Sequence, residues 1–81
     1  MDREAIYGVV KKYILENIED VKESDLDPKK SMKDLGANSL DIIEVVSCSM
    51  RELNIKIPRS ELADIKNIDE LVDKFVANKN S

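Results

Sequence analysis

Three stretches of the chain place apolar residues three and four positions apart, and this restricts the fold more than anything else in the sequence. Ile6, Val9, Val10, Tyr13, Ile14 and Ile18 form the first set; Ile42, Ile43, Val46, Met50 and Leu53 the second; Ile68, Leu71, Val72, Phe75 and Val76 the third. At 100° per residue each set lies on one side of a helix, so the spacing predicts three amphipathic helices that bury their apolar sides against one another. Alternation of period two extends little beyond Ile55-Lys56-Ile57, which leaves strands without support. The expected fold is all-α, three main helices plus one short one from Ser60 to Ile65. With 81 residues, the chain is read as one domain over positions 1–81.

Punctuation between the stripes agrees. From Val21 to Ser31 the periodicity fails, and Ser24, Asp25, Asp27, Pro28 and Ser31 mark a long crossing loop anchored by Val21, Leu26 and Met32. Gly36 supplies a tight turn. Asn38 is an N-cap for a second helix running to about Leu53, and Asp41, three residues on, fits the reciprocal position of a capping box. Pro58 holds an extended link through Ile55 and Ile57. Asn67, with Glu70 three residues later, opens the last helix.

Charge and chemistry exclude several classes. Thirteen basic against 17 acidic side chains give a net charge of −4, which disfavours nucleic acid and anionic membranes as partners. No apolar run approaches the length of a membrane span. There is no histidine and a single cysteine, Cys48, so neither an internal disulfide nor a histidine-cysteine metal site is available. Asp25-Leu26-Asp27 lacks the glycine and distal glutamate of a calcium loop. The start Met-Asp-Arg-Glu has neither the basic nor the apolar region of a signal peptide, and the expectation is a cytoplasmic monomer. An acid-base or nucleophilic enzyme needs a positioned base that the sequence does not supply.

One serine is left to explain. A serine at a helix start ordinarily caps it, but Asn38 already fits that role, which leaves Ser39 in the first turn beside free backbone N–H groups and the positive helix end. Such a position suits a phosphate ester. Leu40, Asp41, Glu44, Cys48 and Arg51 fall opposite the predicted buried side. Cys48 is read as an unreactive residue at the rim.

Leu35-Gly36-Ala37-Asn38-Ser39-Leu40-Asp41 closely resembles the attachment motif of acyl carrier proteins, Leu-Gly-(Ala/x)-Asp-Ser-Leu-Asp. The resemblance extends along the chain: a long first helix, a loop ending in "SMKDLG", a second helix with Ile-Ile-Glu-Val-Val, then "KIP" and a short helix before the last. It implies that Ser39 carries 4'-phosphopantetheine, transferred from coenzyme A by a separate phosphopantetheinyl transferase, and that the chain is a carrier rather than an enzyme. It also implies docking to partner enzymes through Asn38, Leu40, Asp41, Glu44 and Arg51, and a cleft bordered by Ile43, Val46, Ile57, Leu62 and Ile65 that shelters an acyl chain.

Departures from the family pattern narrow the expectation. Asn38 replaces the usual aspartate, Arg51 stands on a face that tends to be acidic in fatty acid synthesis carriers, and Ser47 takes a place often held by a larger apolar residue. "GANS" followed by "LD" looks more like discrete carriers of polyketide or hybrid polyketide-peptide assembly, including those that donate acetyl units for β-branching. The implied partners are an acyltransferase, a ketosynthase or an HMG-synthase-like enzyme. A fatty acid synthesis carrier and a peptidyl or D-alanyl carrier share the same chemistry. A helical interaction domain with Ser39 as a cap is the reading from a different class.

Overall fold

A computed structural model describes residues 2–63 and 65–79. Four α-helices follow one another: α1 (Arg3–Asn17), α2 (Ser39–Leu53), α3 (Arg59–Leu62) and α4 (Ile68–Asn78). The described residues contain no strand. Asp2 caps α1, its carboxylate accepting from the Ala5 N–H at 2.8 Å. The narrow stripe Ile6, Val10 and Ile14 is then fully buried, because α1 packs against both α2 and α4. From α4 come Ile68, Leu71, Val72 and Phe75, all buried, with Val76 half-buried at the edge as its stripe predicts.

The long loop is more structured than its turn residues suggest. It contains two 3-10 turns, Glu23–Asp25 and Lys33–Leu35, and Gly36 closes the second at φ 95°, a conformation that a side chain would strain. Met32 is buried, with Val21 and Leu26 packed against the core beside it. Carbonyls of the loop also close the start of α4: the Ile68 N–H donates to Lys30 O at 3.0 Å and the Asp69 N–H to Pro28 O at 2.9 Å. Ile55 and Ile57 are buried in the link before Pro58, as expected.

Two expectations need correction. The short helix, expected from Ser60 to Ile65, spans Arg59–Leu62, so it begins directly after Pro58; Asp64 lies outside the described residues. Proline's fixed φ and missing N–H suit a helix boundary of this kind. The buried side of α2 is also turned relative to its apolar pattern. Val45, Val46, Ser49 and Leu53 are buried, Ile42 and Met50 are half-buried, and Ile43 is 59% exposed. Ser49 is tolerated in the core because its hydroxyl donates to the Val45 carbonyl at 2.7 Å, leaving no unsatisfied polar atom.

Side chains on the surface tie the helices together. Arg3 pairs with Asp69 at 2.9 Å and with Asp73, joining α1 to α4, and Lys11 pairs with Glu23 of the loop. Glu61 and Lys74 link α3 to α4 at 3.6 Å. Between α1 and α2, Glu52 receives Lys12 and the Tyr13 hydroxyl, the latter at 2.6 Å. Hydrogen bonding from Lys12, and then from Tyr13, lowers the Glu52 pKa from its ordinary 4.5. The bond to Glu52 in turn raises Lys12 above 10.5 and Tyr13 above 10.0.

The sign of each shift sets a pH window. A depressed carboxylate contributes stability above its unfolded pKa and loses it as pH falls through the folded value; the raised Lys12 and Tyr13 contribute below their unfolded values and lose it as pH rises. Glu52→Gln should therefore lower the thermal midpoint slightly between pH 4.5 and pH 10.0, and the difference should fade as pH falls through the depressed Glu52 value or rises through the raised Tyr13 and Lys12 values. These groups are exposed, so the effect is small; melting curves across the range provide the check.

Candidate functional site

Two helices of this fold start on an asparagine cap, and they present their first backbone amides differently. At α4 the Glu70 N–H donates to Asn67 Oδ1 at 2.8 Å, and the loop carbonyls take the Ile68 and Asp69 amides. At α2 the Asp41 N–H donates to Asn38 Oδ1 at 2.9 Å, while the Asn38 N–H donates back to Asp41 Oδ2 at 3.2 Å, completing the expected capping box. The amides of Ser39 and Leu40, however, have no acceptor among the described residues. One helix start is closed by the protein; the other stays open to an incoming anion.

Ser39 occupies the first position of that open start. It is exposed, and its hydroxyl has no hydrogen-bond partner among the described residues. It is also not needed as a cap, since Asn38 does that work. Asn38→Ala should cost about 0.5–2 kcal/mol of stability by removing the acceptor for the Asp41 amide. Chemical denaturation would read this directly, and Asn38→Asp should keep the stability.

Around Ser39, the residues expected on the outer side of α2 are placed there, with one distinction. Leu40 is 73% exposed, and Glu44 and Arg51 are exposed on the same side. Asp41 is half-buried and engaged in the capping box, so its carboxylate is partly committed to the helix itself. Ile43, assigned to the core by its spacing, instead adjoins Leu40 as a second large exposed apolar residue. Cys48 is half-buried, its thiol 3.7 Å from Glu44 Oε2.

Beside α2 lies an open cleft of about 560 Å³, within the size range of small-molecule sites. Ile43, Val46, Ile57, Leu62 and Ile65 all line it, which brings together the five residues named from the sequence. Ile42 and Met50 add to the apolar wall, which explains why these two residues are only half-buried. Met50 also steadies the link to Pro58, since its sulfur accepts from the Ile57 N–H at 3.4 Å. Sequence reasoning missed Lys33, Arg59 and Lys66 on the same lining. They come from three separate segments with no common period, so no one-dimensional signal joins them.

No helix among the described residues is long and apolar enough to cross a membrane. The open helix start, the unengaged serine and the neighbouring cleft fit a phosphate-linked arm that leaves the protein at Ser39.

Comparison with known proteins agrees with this geometry. Residues 12–75 match the family described as the phosphopantetheine attachment site. The polyketide biosynthesis acyl-carrier-protein AcpK of Bacillus subtilis is 34% identical over 73 residues, covering 90% of this chain and 89% of its own length. An acyl carrier protein of Wolinella succinogenes is 35% identical over 79 residues, covering 93% and 99%. Among solved structures, the crystal structure of the curacin biosynthetic pathway HMG synthase in complex with an acetyl donor-ACP contains a chain that superposes with a TM-score of 0.84 at 40% identity. That match covers 96% of this chain and 100% of the other. The chain thus belongs to the phosphopantetheine attachment family: it is an acyl carrier, of a kind that holds 4'-phosphopantetheine covalently and leaves catalysis to other proteins.

Proposed function

We propose that Ser39 is the attachment point and that the chain carries acyl groups for polyketide or polyketide-peptide assembly, acting as an acetyl donor to an HMG-synthase-like enzyme in β-branching. The observation that carries the attachment is the open start of α2, with Ser39 exposed and, among the described residues, unengaged beside two amides that lack acceptors. Support for the pathway comes from the 34% identity to a polyketide carrier and the TM-score of 0.84 to a chain of an HMG synthase complex with its acetyl donor.

The arm supplies a terminal thiol on which acyl groups are held as thioesters. The protein's own contribution is positional. The Ser39 oxygen is the anchor, and the Ser39 and Leu40 amides with the positive end of α2 stabilise the negative charge of the phosphodiester. The Asn38–Asp41 box keeps that helix start rigid. Tethering converts a dilute acyl group into one present at high effective concentration wherever the carrier docks.

Docking then falls to the outer side of α2. Leu40 and Ile43 offer apolar contact, Glu44 and the exposed edge of Asp41 attract a basic patch, and Arg51 selects against partners built for a wholly acidic carrier. Small, charge-guided interfaces release quickly, as a carrier that visits several enzymes requires. A phosphopantetheinyl transferase, an acyltransferase and a ketosynthase would meet this same face.

The test has two stages. The purified chain is incubated with coenzyme A, magnesium and a phosphopantetheinyl transferase of broad specificity, and fragmentation of the modified protein is expected to locate the added group on Ser39. The acetyl-loaded form is next offered to an HMG-synthase-type enzyme and to a fatty acid synthesis ketosynthase. Turnover by the first supports the β-branching role; turnover by the second alone would reassign the chain to fatty acid synthesis.

A further inference from the structure

An asparagine side chain has two polar heads, and the capping of α2 uses only one of them. Asn38 Oδ1 accepts the Asp41 N–H at 2.9 Å, and the Asn38 backbone N–H is held in turn by Asp41 Oδ2 at 3.2 Å. An N–H can be accepted only by the amide oxygen, so these bonds fix which way the side chain is turned. Nδ2, with its two donor hydrogens, is left over and has no acceptor among the described residues. Asn38 is exposed and directly precedes Ser39, whose backbone amide lacks an acceptor as well. At α4 the same kind of cap has nothing to hold: Asn67 Oδ1 accepts the Glu70 N–H, but the next residue is Ile68, which has no hydroxyl, and loop carbonyls already take the first amides.

Aspartate caps a helix as well as asparagine does, so capping alone does not account for an amide at position 38. The two differ in the second head. That of a carboxylate is a negatively charged acceptor; that of an amide is a neutral donor. Asp41 already places one carboxylate at this helix start, and a phosphodiester on Ser39 adds a further negative charge. A second carboxylate at position 38 would repel the phosphodiester at close range, whereas an amide hydrogen-bonds it, and bonds to an ionised acceptor are the stronger kind. We infer that the Asn38 side chain donates through Nδ2 to a phosphodiester oxygen of the arm, alongside the Ser39 and Leu40 backbone amides, and so sets the direction in which the arm leaves α2. This rests on Ser39 as the attachment point and adds to it a positioning residue. Asn38 closes the helix with its oxygen and holds the arm with its nitrogen.

The test compares the protein with and without its phosphopantetheine arm, each form verified by intact mass. In the NMR spectrum, one of the two Asn38 Nδ2 protons is expected to move downfield and exchange more slowly when the arm is present, with a coupling across the hydrogen bond to the arm's phosphorus. The Asn67 side-chain pair serves as the internal control and should stay in place. Thermal melts of wild type and Asn38→Asp are then recorded for both forms. Without the arm the two should melt close together, since both residues cap. Adding the arm should lower the midpoint of Asn38→Asp by about 2–6 °C relative to its effect on wild type, the size expected of one charge at a helix start in a small domain. That difference should shrink as salt rises from about 0.1 M to about 1 M, which shortens the Debye length from roughly 10 Å to roughly 3 Å.

An Asn38 side-chain pair that does not move in the arm-bearing wild type would overturn the inference. So would equal movement of the Asn38 and Asn67 pairs, or an arm that shifts the melting of wild type and Asn38→Asp alike. If the transferase refuses Asn38→Asp, the wild-type spectra decide alone. Failure of the wild type to accept any arm would be seen earlier, as an unchanged mass, and would strike at the attachment reading itself.

Discussion

Ser39→Ala should abolish charging completely: no phosphopantetheinyl mass is added, and no acyl group is carried thereafter. The loss is one of chemistry and not of structure. Ser39 is exposed, its hydroxyl has no partner among the described residues, and the cap belongs to Asn38. Alanine is also the better helix former, so stability should stay within about 0.5 kcal/mol of wild type. Intact-mass measurement with a thermal melt of the same sample separates the two. If the variant still gained the arm, the attachment would move to another hydroxyl, with Ser47, half-exposed further along α2, the first to examine.

Phe75→Ala should have the largest effect on folding. Phe75 is the single phenylalanine, fully buried on α4, which packs against α1. Truncating a buried phenylalanine removes about 3–5 kcal/mol, part of it from the cavity left behind. A chain of 81 residues has a total stability on the order of 4–12 kcal/mol, at roughly 0.05–0.15 kcal/mol per residue. The variant should therefore melt more than about 10 °C below wild type, with a substantial unfolded population at body temperature. Charging by the transferase should fall in parallel, because the attachment helix is held by the same core; a normal melting point would show that α4 contributes little to that core.

Most of this architecture can be read directly from the sequence, and the reasons differ by element. The stripes of α1 and α4 place Ile6, Val10, Ile14, Leu71, Val72 and Phe75 where they are found, because each helix has one continuous apolar side that is buried in the core. The Asn38–Asp41 box is a local interaction between residues three apart, and local interactions survive any rearrangement of the rest. The turning of α2 is different. Its apolar residues serve two surfaces, the core through Val45 and Val46 and the cleft through Ile42, Ile43 and Met50, and averaging over both displaces the apparent buried side by about 50°. Ser49 conceals the true side further, since a polar residue satisfied by its own helix carries no apolar signal.

The site divides in the same way. Ser39 and its cap were legible as a motif, and the exposed Leu40 followed from helical geometry. The cationic lining of the cleft was not legible, because Lys33, Arg59 and Lys66 meet only once the loop has folded back on the start of α4.

That folding back has a dynamic corollary. The first amides of a helix normally exchange with solvent deuterium almost freely, but those of Ile68 and Asp69 are sealed by Lys30 O and Pro28 O. Their protection is lost whenever the loop lifts, even while the rest of α4 stays wound. Exchange at these two positions is thus a clock for the loop's attachment to α4, running separately from the deeper amides that report global unfolding. A carrier that must surrender its cargo on contact would set that clock fast, and docking of a partner would be visible as a change in its rate.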